Sequence, residues 1–442
     1  MKVAVIGCGY LGATHAAAMA ELGHEVLGVD VDPERVRVLA QGRAPFAEPG
    51  LDDLLVQHVG TGRLRFTTSF SEAAAFADLY FLCVGTPQKA DHDDYDLTHL
   101  RSAARTLAKY MDRPSVVVGK STVPVGTAAR LAQEMRLVAP AGDGVEVAWN
   151  PEFLCESTAV EDALHPSRLV IGIEVGRPRA ERVLREVYDH IIAEGTPTLV
   201  TDLMTAELSK LAANAFLATK ISFINAMSEL CEHTGADIVA LARTLGHDTR
   251  IGPWGLRAGS GFGGSCLPKD LHGLLGQAES VGASRPVSLL RAVDEINSGS
   301  IAHVVELALE ACGRAAHGKR ITVWGAAFKP GTDDIRESPG LRVAEALHDL
   351  GAKITVSDPV ALPNARLHHP HLDHCADPML AADGADLVVH LTEWPEFAGV
   401  DPAVLAVRVN RQSIVDACGT LDPTTWRQAE WAYRAPGRPN AA

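Results

Sequence analysis

A short apolar strand, Val3–Ile6, runs straight into Gly7-Cys-Gly-Tyr-Leu-Gly12, which opens the helical stretch Ala13–Leu22. This order constrains the fold more than any other feature of the chain. Gly7 permits a tight turn, Gly9 lets backbone approach a pyrophosphate, and Gly12 lets helix and strand pack closely. Asp30 closes the next strand 18 residues after Gly12, where a carboxylate accepts both ribose hydroxyls and repels a 2′-phosphate. The pattern therefore calls for NAD rather than NADP. A lone Gly-x-Gly-x-x-Gly is weak evidence and can be a plain glycine turn. Here strand, helix and acid stand in register. Two later strand ends, Val84-Gly85-Thr86-Pro87 and Lys120-Ser121-Thr122-Val-Pro-Val-Gly-Thr127, put glycines and small hydroxyls at the same sheet edge. Taken alone, each reads as a turn.

With 442 residues, the chain exceeds what one hydrophobic core supports. Runs at Val3–Ile6, Val26–Asp30, Leu79–Val84, Val116–Gly119 and Val145–Asn150 alternate with helical patterns, the signature of a parallel sheet with crossover helices. Residues 201–246 read as mostly helix, with Thr201 and Asp202 as N-cap candidates, and a Gly/Pro-dense stretch follows over 246–268. Strand–helix alternation resumes at Arg320-Ile-Thr-Val-Trp-Gly325. There Asp349-Leu-Gly-Ala-Lys-Ile-Thr-Val-Ser-Asp358 echoes Glu21-Leu-Gly-His-Glu-Val-Leu-Gly-Val-Asp30. The fold expected is α/β, two Rossmann-like doubly wound domains joined by a central helical domain, with the tail after Ala435 disordered.

A net charge of −15 offers no broad positive surface for nucleic acid or an anionic membrane. Met1 leads directly into the first strand and no apolar run approaches ~18 residues, so neither a signal peptide nor a membrane span is expected. The eight cysteines (8, 83, 155, 231, 266, 312, 375 and 418) form no Cys-x-x-Cys pair, which argues against zinc or a disulfide framework and for a reducing cytoplasm. No metal is expected.

One thiol stands apart. Gly259-Ser-Gly-Phe-Gly-Gly-Ser-Cys-Leu-Pro-Lys-Asp270 holds four glycines in six residues, costly to order unless the backbone reaches a ligand. Pro268 suits the first turn of a helix, placing Cys266 at its N-terminus, where the dipole favours a thiolate and Lys269 assists. A buried structural cysteine is the alternative, and suits the other seven. Lys210 and Asn214 share a helical face that continues through Leu217, Ile221 and Ile224. A lysine heading such a stripe needs a partner or a substrate unless it snorkels to solvent. In Asn150-Pro-Glu-Phe-Leu-Cys-Glu156 two glutamates bracket a turn, as functional groups or as solvated surface.

These segments together resemble the UDP-glucose/GDP-mannose dehydrogenase family. The matching motifs are Gly7-x-Gly-Tyr-x-Gly12, Ser121-Thr-Val-Pro124, Asn150-Pro-Glu-Phe-Leu154, Lys210 with Asn214, Gly261-Phe-Gly-Gly-Ser-Cys266 with Pro-Lys-Asp270, and Phe328-Lys-Pro-x-Thr-Asp-Asp-x-Arg-Glu-Ser-Pro339. They occur in the family's order over about residues 1 to 420. The resemblance implies an NAD-binding domain (1–200), a central helical domain that carries the thiol loop and makes a dimer (201–300), and a nucleotide-sugar-binding domain (301–435).

It also implies a four-electron oxidation at a sugar's C6 through a thiohemiacetal and a thioester on Cys266. Lys210 and Asn214 would stabilise oxyanions, Asp270 would move the alcohol proton, and Glu152 and Thr122 would handle the hydrolytic water. Cofactor contacts would come from Gly7, Gly9, Tyr10, Leu11, Gly12, Asp30, Arg35, Gly85, Thr86, Pro87, Ser121, Thr122, Glu156 and Arg336. Substrate contacts would come from Glu152, Phe153, Leu154, Lys210, Asn214, Arg257, Gly263, Cys266, Phe328 and Lys329, with Arg250 reaching a neighbouring subunit's ligand.

The chain departs from the family pattern in two places. Asp416-Ala-Cys418-Gly has no arginine before the glycine, and Gly255 beside Trp254 replaces an aromatic. The N-acetylhexosamine branch carries Ser-Pro-Glu-Arg where this chain has Asn150-Pro-Glu-Phe153, so acetamido sugars are disfavoured. UDP-glucose is the substrate expected, with TDP-glucose and GDP-mannose as alternatives. A two-electron hydroxyacid-type dehydrogenase and a non-catalytic NAD-binding scaffold are the rival readings. The first would need neither Cys266 nor a second Rossmann-like domain.

Overall fold

In a computed structural model, which describes residues 1–89 and 94–439, the chain divides into two compact units, Met1–Ala213 and Asn214–Ala442. The first is built on eight strands: β1 Lys2–Ile6, β2 Glu25–Val29, β3 Leu64–Thr67, β4 Leu79–Leu82, β5 Ser115–Gly119, β6 Val145–Trp149, β7 Leu169–Ile173 and β8 Thr198–Asp202. Their order is β3-β2-β1-β4-β5-β6-β7-β8. In β1, Val3 and Val5 enter one core cluster while Ala4 and Ile6 enter the other. Burial on both faces is why parallel strands read as unbroken apolar runs rather than as alternation.

The five strands expected from the sequence, β1, β2, β4, β5 and β6, all pair in parallel, but the whole sheet is mixed. β7 runs antiparallel to β6, and β8 then pairs parallel to β7.

Helix α1, Tyr10–Glu21, is almost wholly buried, which its run of alanines permits. Helix α2, Pro33–Leu39, starts on the Asp32 carboxylate, which accepts from the backbone N–H groups of Glu34 and Arg35. Helix α3 is Thr127–Val138. Helix α4, Leu203–Thr234, is 32 residues long, and the unit boundary falls within it. Thr201 and Asp202 belong to β8, yet Asp202 still caps the helix by accepting from the backbone N–H of Thr205 at 2.8 Å. Gly172 in β7 lies under α4: a Cβ there would come 2.5 Å from that of Ala206.

The second unit contains the rest of α4, α5 Leu267–Ser280, α6 Ser284–Ala311 and α7 Pro339–Asp349. Its sheet comprises β9 Arg320–Trp324, β10 Lys353–Ser357, β11 Asp373–His374, β12 Leu387–His390, β13 Ser413–Asp416 and β14 Ala432–Arg434. The order is β11-β10-β9-β12-β13-β14 and every pairing is parallel. This repeats the order of the first six strands of the other unit.

The expectation of disorder after Ala435 is corrected over 436–439. The Gly437 carbonyl accepts from the backbone N–H of Ile238 at 3.0 Å, and its N–H donates to Glu232 at 2.7 Å. Residues 440–442 lie outside the described residues. No described helix is long and apolar enough to cross a membrane.

Candidate functional site

The loop after β1 is built to admit an anionic ligand. Gly7 has φ +89°, and a Cβ on Gly12 would come 1.7 Å from the Gly7 carbonyl oxygen, so neither position tolerates a side chain. A Cβ on Gly9 would meet nothing within 4 Å, which leaves open space above the N-terminus of α1. Gly9 is the N-cap of α1 and no side chain caps that end, so its first backbone N–H groups and the dipole can serve a phosphate. Leu11 packs into the core beneath.

Asp30, buried at the end of β2, accepts from the backbone N–H of Cys8 at 2.8 Å and from that of Asp32 at 3.0 Å. The Arg35 guanidinium reaches it at 3.1 Å. A carboxylate fixed beside the glycine loop fits the ribose of a dinucleotide. Across the sheet edge, Thr86 Oγ1 donates to the Thr122 carbonyl at 2.7 Å and Ser121 Oγ to the Val84 carbonyl at 2.6 Å. These bonds lace the Gly85-Thr86-Pro87 turn to the one after β5.

Sequence reasoning missed Glu48. It accepts from the Tyr10 hydroxyl and, at 2.8 Å each, from the backbone N–H groups of Ser157 and Ala159. This buried carboxylate ties the loop carrying Glu156 to the start of α1, and burial followed by Glu48 raises the Tyr10 hydroxyl pKa. Nothing around Glu48 in the sequence marks it, because its partners lie 38 residues before it and more than a hundred after it.

Lys210 does not snorkel: it is 4% exposed and pairs with Glu152 at 3.0 Å. The other Glu152 oxygen accepts from the backbone N–H of Leu154 at 2.6 Å. The Phe153 ring lies 5.8 Å from the Lys210 ammonium and 3.6 Å from the Arg168 guanidinium. Glu207, one turn before Lys210, accepts from the backbone N–H groups of Gly126 and Ala128 at 2.6 Å each, anchoring α4 at the start of α3. Beneath lies Lys120, whose ammonium meets the Asn150 side-chain oxygen at 2.8 Å and Tyr188 Oη at 3.4 Å. Burial lowers its pKa to about 8.

In the second unit, Cys266 is the N-cap of α5, with Pro268 in the first turn. Its Sγ lies 3.5 Å from Ser265 Oγ and it is partly exposed. Burial drives the Cys8 and Cys418 thiols far above the usual range and Cys83 to about 12. Asp270 is fully buried, accepts from Asn214 Nδ2 at 2.6 Å, and pairs with Lys269. The stripe beyond Asn214 is uneven. Leu217 is exposed, whereas Ile224 is buried.

The glycines of this loop are also required by protein packing, which the sequence reading did not foresee. A Cβ on Gly263 would come 2.1 Å from the Glu337 carbonyl oxygen, and one on Gly259 2.4 Å from that of Ala417. One on Gly264 would strike the Phe328 ring at 2.6 Å. Asn297, buried on α6 and also missed by sequence reasoning, clamps the loop. Its Oδ1 accepts from the backbone N–H of Phe262 at 2.7 Å, and its Nδ2 donates back to the Phe262 carbonyl at 3.1 Å.

The remaining cations are held locally. Lys329 lies 5.5 Å over the Phe328 ring, Arg336 forks onto Asp334 at 2.7 Å and 2.9 Å, and Arg257 meets Glu393 at 3.0 Å. Arg250 forks onto Asp248 and is 86% exposed. Gly255 has φ +73°, a backbone that excludes an aromatic there without strain, and Trp254 beside it is exposed.

The sequence echo of Asp30 resolves differently. Asp358, at the end of β10, accepts from the backbone N–H groups of Ala326, Ala327, Val360 and Ala361 and from the Trp394 indole, all within 2.8–3.0 Å. It is filled by the protein itself and has no capacity left for a ribose.

Residues 1–192 match the NAD binding domain of the UDP-glucose/GDP-mannose dehydrogenase family, 204–299 its central domain and 322–423 its UDP binding domain. The chain is 40% identical over 440 residues to the UDP-glucose 6-dehydrogenase of Rhizobium meliloti (strain 1021), covering 100% of both. Among solved structures it is similar to a UDP-glucose dehydrogenase from the hyperthermophilic archaeon Pyrobaculum islandicum, with a TM-score of 0.91, 37% identity and 99% and 98% of the two chains covered. A UDP-D-ManNAc dehydrogenase from Pyrococcus horikoshii aligns with a TM-score of 0.87 and 27% identity over 100% of both chains.

Proposed function

Because the chain belongs to the UDP-glucose/GDP-mannose dehydrogenase family, we propose that it oxidises UDP-glucose at C6 to UDP-glucuronate, an NAD-dependent four-electron reaction. NAD, when bound, accepts one hydride at each of two oxidations; the chain's own residues do the rest. The single observation that carries the reading is Cys266 at the N-terminus of α5, with Asp270 buried in the same first turn.

Asp270, oriented by Asn214, takes the C6 alcohol proton through water as the first hydride leaves and an aldehyde forms. The Cys266 thiolate adds to that aldehyde, giving a thiohemiacetal whose oxygen takes up the proton. Loss of that proton and of a second hydride leaves a thioester. Water then breaks the C–S bond, releasing the carboxylate and restoring the thiol. The Lys210 ammonium stabilises the oxyanion of each tetrahedral species. Glu152, with Thr122, orients the water.

The fork of Asp30 and the open space at Gly9 hold the dinucleotide. Lys329, Arg257 and Arg336 supply cations for phosphate. The three-part division at 1–200, 201–300 and 301–435 assigns cofactor, thiol loop and UDP to successive segments. Phe216, Phe223 and Leu230 are exposed on α4, and this apolar face supports a homodimer. A cytoplasmic location accords with a thiol that must stay reduced.

The test is stoichiometry. Exhaustive turnover of limiting UDP-glucose should yield two NADH per sugar and a uronate; one NADH with free aldehyde overturns the covalent route.

A further inference from the structure

Among the described residues, two groups of donor side chains lie close enough to share an ion: Glu345, His348 and His371, and His390, Asp416 and Cys418. In the second, the central carboxylate is satisfied from within, although His390 Nε2 is buried without a hydrogen-bond partner. The Asp416 carboxylate pairs with His390 Nδ1 and accepts from the backbone N–H groups of Cys418, Gly419 and Leu421 and from the Tyr433 hydroxyl. Asp416, His390 and Cys418 are buried, and the carboxylate has no capacity left for a cation.

The first group is open to solvent. We propose that Glu345, His348 and His371 bind one divalent cation of the zinc class, with His369 alongside as a further donor. This goes beyond the dehydrogenase reading and does not depend on it.

Glu345 and His348 stand three residues apart on α7, hence on one face, in the last turns of that helix, where the carbonyl dipoles favour a cation. The other donors arrive from the chain beyond the helix Leu362–His368. One Glu345 oxygen meets His369 Nδ1 and the other meets His371 Nε2 at 2.8 Å. The His348 and His371 rings lie 5.0 Å apart at 60°.

The donor atoms of Glu345, His348 and His371 fall within 4.8 Å of one another. Zinc bonds of about 2.0–2.2 Å in a tetrahedron need donors about 3.3 Å apart, so a shift of about an ångström at partly exposed side chains completes the set. Imidazoles with one carboxylate suit zinc, nickel or cobalt rather than calcium or magnesium. The spacing Glu345, His348, His369, His371 matches no local metal motif. The sequence expectation was no metal, and this group is assembled by α7 and a separate loop rather than by a local motif.

The test uses the full chain stripped with chelator, titrated with Zn²⁺ by calorimetry and with Co²⁺ by visible absorption. The wild type should bind one equivalent that the His348→Ala/His371→Ala variant binds at least tenfold more weakly. Bound Co²⁺ should show d–d bands without a thiolate charge-transfer band, and the metal-free variant should keep wild-type NADH production. Equal stoichiometry and affinity in both proteins overturns the proposal. So does the absence of saturable binding, or a thiolate band that disappears in Cys266→Ala.

Discussion

Two residues carry sharply different charge problems. Cys266 sits at a helix N-terminus and, in the proposed mechanism, attacks as a thiolate. Cys266→Ser should keep the fold and NAD affinity and lose acid formation at least ~100-fold, since a hydroxyl is a feeble nucleophile near neutral pH. A rate above half of wild type would show the thiol to be structural. Lys120 is the opposite case, a cation shut away from water and lowered to about 8. Between about 8 and the unfolded value of about 10.4, the unfolded chain binds more protons than the folded one, so this group makes stability rise with pH. Its burial penalty, at most roughly 3 kcal/mol, is felt in full below about pH 8 and fades above it. Lys120→Met should therefore stabilise the protein at pH 7, because Asn150 Oδ1 keeps Tyr188 as a donor at 2.8 Å. That gain should shrink by pH 10. Urea midpoints of both proteins at the two pH values provide the check, and an equal difference at both removes Lys120 as the cause. Cys266 was legible because glycines and a proline frame it. Lys120 was named only as part of a motif, and its burial depends on Tyr188, far along the chain.

At the scale of elements, the two strand–helix–strand repeats diverge through their terminal aspartates. Asp30 has Arg35 and two backbone donors around it, whereas Asp358 has five protein donors. Equilibrium dialysis should accordingly find one NAD per chain. Asp30→Ala should weaken NAD at least tenfold, while Asp358→Ala should leave NAD binding intact and lower stability by several kcal/mol, since it strands buried donors. Two NAD per chain would reverse the assignment. A desolvated Asp30 should also favour NAD over NADP by at least tenfold in kcat/KM, more than ~1.4 kcal/mol. The first repeat was legible down to its residues, because burial on both faces leaves an apolar run between glycine and aspartate. β3 and β8 were not. Each is only partly buried, and in β8 (Thr-Leu-Val-Thr-Asp) Leu199 is exposed. β7 was not read either, although Leu-Val-Ile-Gly-Ile is apolar, and its reversal depends on pairing with β6, which no local pattern records.

At the scale of the whole molecule, the open question is whether one chain suffices. The exposed Phe216, Phe223 and Leu230 of α4 and the 86% exposed Arg250 point outward from a chain whose other site residues are mostly sheltered. An isologous dimer would cover the apolar face twice and carry each Arg250 to the other chain's ligand. Complementation separates this from action within one chain. Arg250→Ala and Cys266→Ser homodimers should both be nearly inactive. Co-expressed with different tags and purified as a mixed dimer, they pair an intact Cys266 with an intact Arg250 at one of two sites. Action across the interface then predicts about half of wild-type NADH production per dimer. Action within the chain predicts none, because neither chain holds both groups. A mixed dimer without activity would thus remove Arg250 from the neighbour's site, and a wild-type chain sedimenting as a monomer would remove the dimer itself.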